Sequence, residues 1–362
     1  MPKGGKMSLK KYQKALASLA FQTENVQPRR YIDYYRNYYD DDVHFFEVLD
    51  PFEMDAHKII NSKAFRRLQY KTQVFPTPNN SHIRTRLLHV KEVESTAVLL
   101  ATILGLNVPM CRAIALGHDI GHAPFGHFGE KYLTQKSGKI FSHAINGALI
   151  AQRIERKGAG LNLCKETLQG ICHHSRTQDP NLTLSQNVPE EFNVIMLADK
   201  IAYVFSDYND AKRNNSIKEP NDSNIEFFGK RQRLRAYHCI EALVEESAEQ
   251  GKIAFAQSQT AKEFKILRQW LQKNVYQPIK FDIQAIYFER LLDFFSSEKD
   301  YQDCDPYVLL SLLTDNEVFQ FGEYCKTARI PTSENLANFG IKEIAPWIKG
   351  KKLDFSSPKL DW

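Results

Sequence analysis

The 362-residue chain has little proline and glycine, 15 and 17 residues respectively. Low-complexity segments and long structureless linkers are therefore not expected. Its longest apolar run, residues 97–106, is interrupted by a threonine. It is about half of the roughly 20 residues that a membrane-spanning helix needs, so no transmembrane segment is expected. The six cysteines (Cys111, Cys164, Cys172, Cys239, Cys304 and Cys325) form no CxxC pair. That excludes a zinc ribbon, and scattered thiols in apolar contexts fit a reduced, cytoplasmic protein. A GxxxxGK[ST] phosphate loop and a nucleophilic serine elbow are also missing. The basic stretch 1–21 has too short an apolar core for a secretory signal and reads as a basic arm leading into an amphipathic helix. A net charge of +5 suits an anionic substrate but does not by itself indicate nucleic acid.

What the chain does have is histidine, concentrated in one place. Seven of the 11 histidines (His89, His118, His122, His127, His143, His173 and His174) lie between positions 89 and 174. The centre is 116–130, LGHDIGHAPFGHFGE, which carries three histidines and two carboxylates between glycines 117, 121, 126 and 129. Imidazole and carboxylate together ligate borderline or hard divalent metals and also transfer protons near neutral pH. A cluster of this composition reads as an active site.

Hydrophobic periodicity is helical along the whole chain. It predicts helices over 63–74, 87–105, 109–117, 142–156, 166–174 and 190–212, with Ser142 as an N-cap and the glycines at 158 and 160 as a stop. Beyond 220, amphipathic helices are predicted over 231–250, 260–275, 281–297 and 305–327, rich in Lys, Glu and aromatics. Residues 214–224 read as a long polar loop, and 71–77 and 252–256 as short strands. His173 and His174 read as a second site or as the end of a helix, the helix end being the preferred reading. This gives an all-α body with a helical C-terminal extension, and no internal repeat.

Four residues are positioned to hold a metal. His89 lies mid-helix, and His118 and Asp119 follow 29 residues later. Adjacent helical residues diverge by about 100°, so both reach one ion only from a helix end or turn, which Gly117 and Gly121 allow. Asp199, in the apolar context LADKIAY, is costly to bury without a charged partner. Two histidines and two carboxylates would fill about four of the six positions of an octahedral ion.

His89, His118-Asp119 and Asp199 resemble the H…HD…D signature of the HD-domain metal-dependent phosphohydrolases. More narrowly, the chain resembles the deoxyguanosinetriphosphate triphosphohydrolase family. The likeness rests on FRRLQYKTQVF (65–75), RTRLLH (84–89), the HDIGHAPFGHFGE block, FSH (141–143), GLNL (160–163) and DKIAY (199–203) followed by Asp207 and Asp210. These motifs keep family order over about residues 50–212.

The resemblance implies an all-α, HD-domain helical bundle with additional C-terminal helices: an N-terminal arm and lead-in helix over 1–50, an HD catalytic core over 51–220, and a packed helical extension over 221–362. It implies hydrolysis of dGTP, or of other deoxynucleoside triphosphates, at the α-phosphorus to give deoxynucleoside and inorganic tripolyphosphate. The divalent cofactor would be Mg, Mn, Fe, Co or Ni. His127 and Glu130, three apart and so on one helical face, would form a proton-transfer pair. His122 and His143 would face the phosphates. Arg86, Lys200 and Tyr203 would meet the triphosphate, and Asp207 with Gln73 the sugar 3′-hydroxyl. Assembly into hexamers or tetramers, a nucleotide activator and single-stranded nucleic acid are the partners implied.

Two departures bear on base preference and regulation. Ser206 stands where the family often has histidine, and the first helix reads HVKEVE where many members have HSLEVA. Other readings are an HD phosphohydrolase for a monophosphate or nucleotide second messenger, or a nucleic-acid-binding protein using the basic arm with Arg66, Arg67, Lys71, Arg84 and Arg86. The latter predicts binding that weakens steeply between about 50 and 200 mM salt.

Overall fold

The computed structural model describes residues 9–25, 48–76, 80–175, 183–217, 222–327 and 333–358. Among them the regular structure is helical; an isolated antiparallel bridge between Thr72 and Thr85 is the closest approach to a sheet. The strand expected at 71–77 is reduced to that bridge, with position 77 outside the described residues. The strand expected at 252–256 is irregular chain whose amides are claimed by side chains: Ala254 donates to Ser247 Oγ and Ala256 to Glu246 Oε1.

Helix α1 (Pro51–Ile60) starts behind Asp50, whose carboxylate accepts the Phe52 N–H, with proline at the first helical position. Helix α2 (Lys63–Arg67) passes into a 3-10 turn (Leu68–Tyr70) and stops where Lys71 becomes extended, so it is shorter than the predicted 63–74. Helix α3 (Arg86–Leu104) is capped by Thr85 and ended by Gly105 at φ +81°. Helices α4 (Val108–Gly117), α5 (His127–Ser137) and α6 (His143–Leu149) follow; α6 continues through a π-turn (Ile150–Ile154). Ser142 occupies the N-cap position of α6 without a capping side-chain bond. Helices α7 (Lys165–His173) and α8 (Glu190–Arg213) complete this half.

Apolar almost all round and full of small residues, α4 (VPMCRAIALG) is the centre of the bundle. Helices α1, α3, α7 and α8 all pack against it. Its C-terminal end, where His118 and Asp119 follow, is thereby carried into the interior between α3 and α8.

The second half comprises α9 (Asp222–Phe227), α10 (Gln232–Gln250), α11 (Gln259–Leu271) with a π-turn (Gln272–Tyr276), α12 (Asp282–Ser297), α13 (Pro306–Leu312), α14 (Asp315–Thr327) and α15 (Gly340–Ile348). Helix α9 claims the end of the expected 214–224 loop. The single helix expected over 305–327 is broken after Leu312, because Thr314 and Glu317 form a capping box. The Glu317 carboxylate accepts the Thr314 N–H at 2.7 Å, and Thr314 Oγ1 accepts the Glu317 N–H at 3.2 Å. At the N-terminus, the described part of the expected amphipathic helix consists of 3-10 turns (Leu9–Tyr12, Ala17–Leu19). One continuous hydrophobic cluster runs from Tyr12 and Leu16 through both halves to Phe355. All six cysteines are free, and among the described residues no helix is long and apolar enough to cross a membrane.

Candidate metal centre and active site

The end of α4 is held against α6 by the absence of a side chain. A Cβ on Gly121 would lie 2.1 Å from both the His143 carbonyl oxygen and the Gly147 nitrogen, which no alanine tolerates. Glycine here therefore lets His118, Asp119 and His122 stand beside His143.

His118 Nδ1 lies 2.6 Å from the Ala115 carbonyl oxygen. A carbonyl only accepts, so this nitrogen carries the ring proton and Nε2 keeps its lone pair. That Nε2 is buried and has no protein partner. It lies 3.5 Å from Asp119 Oδ1, while His89 Nε2 lies 3.1 Å from Asp199 Oδ1 and 3.8 Å from Asp119 Oδ2. The ligating atoms of His89, His118 and Asp119 all fall within 4.8 Å of one another. An orphaned imidazole nitrogen facing a second imidazole and two carboxylates is a donor set that fits a divalent cation. Burial disfavours charge on Asp119, yet the His118 and His122 rings and the Arg86 guanidinium hold its carboxyl well below the ordinary range. Asp199 is held low in the same way, by Lys200 and His89 against burial.

Arg86 is buried. It donates to Asp119 Oδ2 at 2.7 Å and to the Gln73 carbonyl at 2.9 Å, so its charge is spent on orienting a carboxylate. Lys200 pairs with Asp199 Oδ2 at 2.7 Å. The Gln73 side-chain oxygen is buried without a protein partner.

Beyond Asp119 the chain turns through Phe125 and Gly126, both at positive φ, into α5. His127, largely exposed at the start of α5, places Nδ1 2.7 Å from Glu130 Oε2. The other carboxylate oxygen accepts the His143 N–H at 2.7 Å and faces His143 Nδ1 at 2.8 Å. Glu130 therefore orients two imidazoles at once. His143 and His127 hold its carboxyl well below the usual range despite burial. The His122 ring stacks on His143 with centroids 3.9 Å apart, and its Nε2 lies 3.2 Å from Asp119 Oδ1. Burial, Arg86 and His143 push the His122 pKa well below its ordinary value, so His122 is neutral near pH 7.

Helix α8 carries Asp199, Tyr203 and Asp207 at four-residue steps on one face. Here the second half of the chain enters. Arg268 of α11 donates to the Tyr203 hydroxyl at 3.3 Å and keeps a buried, unpartnered Nη1. The Tyr276 hydroxyl donates to Asp207 Oδ2 at 2.8 Å. Burial pushes the Asp207 carboxyl up to about 7 against the pull of Tyr276. Asp315, at the start of α14, accepts from the Phe125 N–H at 2.9 Å and from Thr72 N–H and Oγ1 at 2.8 and 2.7 Å. Lys71 is buried and donates to the His122 carbonyl.

Sequence reading missed Arg268, Tyr276 and Asp315; the helix end read at His173 and His174 is where the structure ends α7. His173 is exposed and stacks on Phe192, but the His174 ring is buried 5.0 Å from both His118 and His143. The basic set offered for nucleic acid does not form a free surface: Arg67, Lys71 and Arg86 are buried, and Arg84 pairs with Glu92 and Asp210.

Residues 86–204 match the family model of the HD domain. Proteins named deoxyguanosinetriphosphate triphosphohydrolase-like protein are similar over a longer stretch. One from Desulfatibacillum aliphaticivorans is 37% identical over 233 residues, covering 62% of this chain and 66% of its own. One from Clostridium tetani is 35% identical over 236 residues, covering 64% and 67%. One from Caldanaerobacter subterraneus is 42% identical over 172 residues, covering 48% and 49%. These matches span between about half and two thirds of the relatives' own length. With its HD signature assembled in space and its likeness to these proteins reaching well beyond that domain, the chain belongs to the deoxyguanosinetriphosphate triphosphohydrolase-like family of HD-domain proteins.

Proposed function

We propose that the chain is a metal-dependent deoxynucleoside triphosphate triphosphohydrolase, cleaving dGTP and other deoxynucleoside triphosphates to the deoxynucleoside and inorganic tripolyphosphate. The observation that carries this reading is the line Asp199, Tyr203, Asp207 along α8, which joins the metal centre at one end to a buried hydroxyl-binding carboxylate at the other. A site built only for a phosphate ester has no use for the second end.

His89, His118, Asp119 and Asp199 would hold the ion, which is Mg, Mn, Fe, Co or Ni according to availability. When bound, it supplies Lewis acidity, screening charge on the phosphoryl oxygens and making a water easier to deprotonate. The protein's own groups do the rest. Glu130 fixes the His127 tautomer, leaving Nε2 to take a proton from the attacking water or give one to the leaving O5′. His143 and the neutral His122 would line the phosphate side. Lys200, Tyr203 and the open Nη1 of Arg268 meet the triphosphate, with Arg86 holding Asp119 in place. Asp207, steadied by Tyr276, would accept from the sugar 3′-hydroxyl, with Gln73 as a second contact. In this reading residues 51–220 carry the chemistry, and 221–362 supply the sugar end and brace the HD loop.

The test is incubation of the protein with manganese and each deoxynucleoside triphosphate, singly and mixed, followed by anion-exchange separation of products. Tripolyphosphate plus deoxynucleoside, lost in Asp119→Ala, is expected. Monophosphate plus pyrophosphate would mean a different bond, and no turnover in any mixture would favour a monophosphate or second-messenger substrate. Homo-oligomerisation belongs to the same reading; a monomer at micromolar concentration by light scattering would remove it.

A further inference from the structure

Lys71 is buried, and an amine is costly to bury unless acceptors meet it. Packing alone would be served by an apolar side chain; what the amine adds is hydrogen-bond donors. It donates to the His122 carbonyl and, at 3.4 Å, to the Ser311 carbonyl near the end of α13. The preceding carbonyl of the loop, that of Gly121, accepts from Asn146 Nδ2 of α6 at 2.8 Å. The same Nδ2 donates to Ser311 Oγ at 3.3 Å. Two consecutive carbonyls between Asp119 and His127 are thus held by two buried side chains, and both of these meet at the buried Ser311.

The clasp extends to neighbouring parts of the site. The Lys71 carbonyl accepts the Arg86 N–H at 2.9 Å, at the start of α3, and the Arg86 side chain orients Asp119. The next residue, Thr72, shares the Asp315 carboxylate with Phe125. Positions 121, 122 and 125 of the loop are therefore tied to the second half of the chain through Ser311 and Asp315. A peptide plane whose carbonyl is held does not rotate freely. The bonds at 121 and 122 thereby set the direction in which the His122 side chain leaves the backbone and the path by which the chain reaches His127.

We propose that Lys71 is a positioning residue for the hydrolytic reaction: with Asn146, and with Ser311 as their shared anchor, it fixes the backbone between Asp119 and His127 in its productive geometry. The inference rests on the reading of the site as a triphosphohydrolase and deepens it, because the Lys71 amine acts through loop carbonyls and not on the substrate. Ser311 belongs to α13, so the geometry of the loop depends on helices that follow the HD core. Misplacing a catalytic group by about 1 Å costs on the order of 10²-fold in rate. That loss falls on kcat, since the side chains that meet metal and phosphates are all retained.

The experiment compares Lys71→Met and Ser311→Ala with a control, Lys58→Met. Lys58 is also buried and its amine also donates to a carbonyl, that of Asn162 at 3.2 Å, outside the loop. Each protein is assayed with manganese and deoxynucleoside triphosphate, and amide hydrogen exchange over 119–126 is followed by mass spectrometry without substrate. Lys71→Met is expected to lower kcat per folded molecule by about 10²-fold, with KM and manganese affinity within about threefold. Its loop amides are expected to exchange about tenfold faster or more. Lys58→Met is expected to lose stability while kcat stays within about threefold. Ser311→Ala, which deletes only Oγ, is expected to lower kcat by about three- to tenfold, and it carries the test if Lys71→Met does not fold. Three results overturn the proposal: an unchanged kcat in Lys71→Met (or, where that variant does not fold, in Ser311→Ala), equal falls in Lys71→Met and Lys58→Met, or a lowered kcat with unchanged loop exchange. If the unaltered protein turns over no deoxynucleoside triphosphate, the triphosphohydrolase reading fails, and loop exchange alone decides whether the clasp holds.

Discussion

Tyr276, on the π-turn after α11, donates its phenolic hydrogen bond to Asp207 of α8 at 2.8 Å, across 69 positions of chain. The carboxylate it meets is fully interior, and burial pushes its pKa up to about 7 from an ordinary 3.8. The folded protein therefore takes up a proton here that the unfolded chain releases above about pH 4. A group with a raised folded pKa contributes its full stability below the unfolded pKa and loses it as pH rises toward the folded one. Asp207→Asn, uncharged at every pH and still able to accept from Tyr276, is thus predicted to melt above the unaltered protein at pH 8, by an amount on the order of a few kcal/mol at most. The difference should vanish near pH 4. Thermal melts of both proteins across pH 4–8 check this, and a gap of constant size would sink the titration argument. If Asp207 meets the sugar as proposed, the same variant is predicted to raise KM for deoxynucleoside triphosphates more than it lowers kcat, because the sugar end is remote from the reacting bond.

Asp315 gives a second prediction. Its carboxylate fixes Phe125, which sits at φ +58° with its ring packed against Phe288 and Phe319 at 5.7 and 5.3 Å. A non-glycine residue held there is strained, and the strain persists only while the surroundings enforce it. Asp315→Ala removes three hydrogen bonds to a charged acceptor, with an expected loss of about 3–5 kcal/mol. Activity should fall further than stability does, by tenfold or more at temperatures where the variant remains folded, because α5 and His127 begin two residues beyond Phe125. Equal activity per folded molecule would show that the HD loop does not depend on its brace.

The contrast between these residues and the metal centre shows what a sequence displays. The cluster of His89, His118 and Asp119 was legible because a site able to hold a metal needs particular side chains on particular turns, and few other demands place them so. Helix α8 was legible from its four-residue steps. Tyr276, Arg268 and Asp315 each stand alone within amphipathic patterns that any surface helix shows, and only tertiary packing brings them to the site. His174 does close a helix, α7, but nothing local shows that its ring reaches His143, 31 positions away. The break at 313–314 did carry a local signal, the TDNE capping box, but leucines on its N-terminal side continue the helical period and masked it. Strand propensity at 252–256 lost to side-chain acceptors on α10, which no period of two can reveal.

Gly121 tests the packing that puts the histidines together. Its missing Cβ would meet backbone atoms of His143 and Gly147 at 2.1 Å, and backbone cannot swing aside as a side-chain tip can. Gly121→Ala is predicted to cost more than about 4 kcal/mol or to prevent soluble expression. Gly138→Ala is the control: nothing lies within 4 Å of its Cβ site, and its φ of +69° alone should cost about 1 kcal/mol. Chemical denaturation of both variants measures the difference, and comparable losses would mean that the contact between the α4 end and α6 is not what constrains position 121.

Glu130→Gln separates orientation from charge at the proton-transfer pair. In the native site both Glu130 oxygens accept, one from His127 Nδ1 and the other from His143 N–H and Nδ1. A glutamine can present only one acceptor atom. The two donors of His143 should hold the amide oxygen, turning the NH2 group toward His127. His127 Nδ1 must then accept, so its ring proton moves to Nε2, the nitrogen proposed to face the reacting groups, and the proposed base becomes a poor one. The expected result is a kcat reduced by about 10²–10⁴-fold with KM and manganese affinity close to those of the unaltered protein. The pH–rate profile should also lose the limb that belongs to the His127–Glu130 pair. A kcat within fivefold of the original would mean that His127 does not move the proton, and the burden would pass to His122.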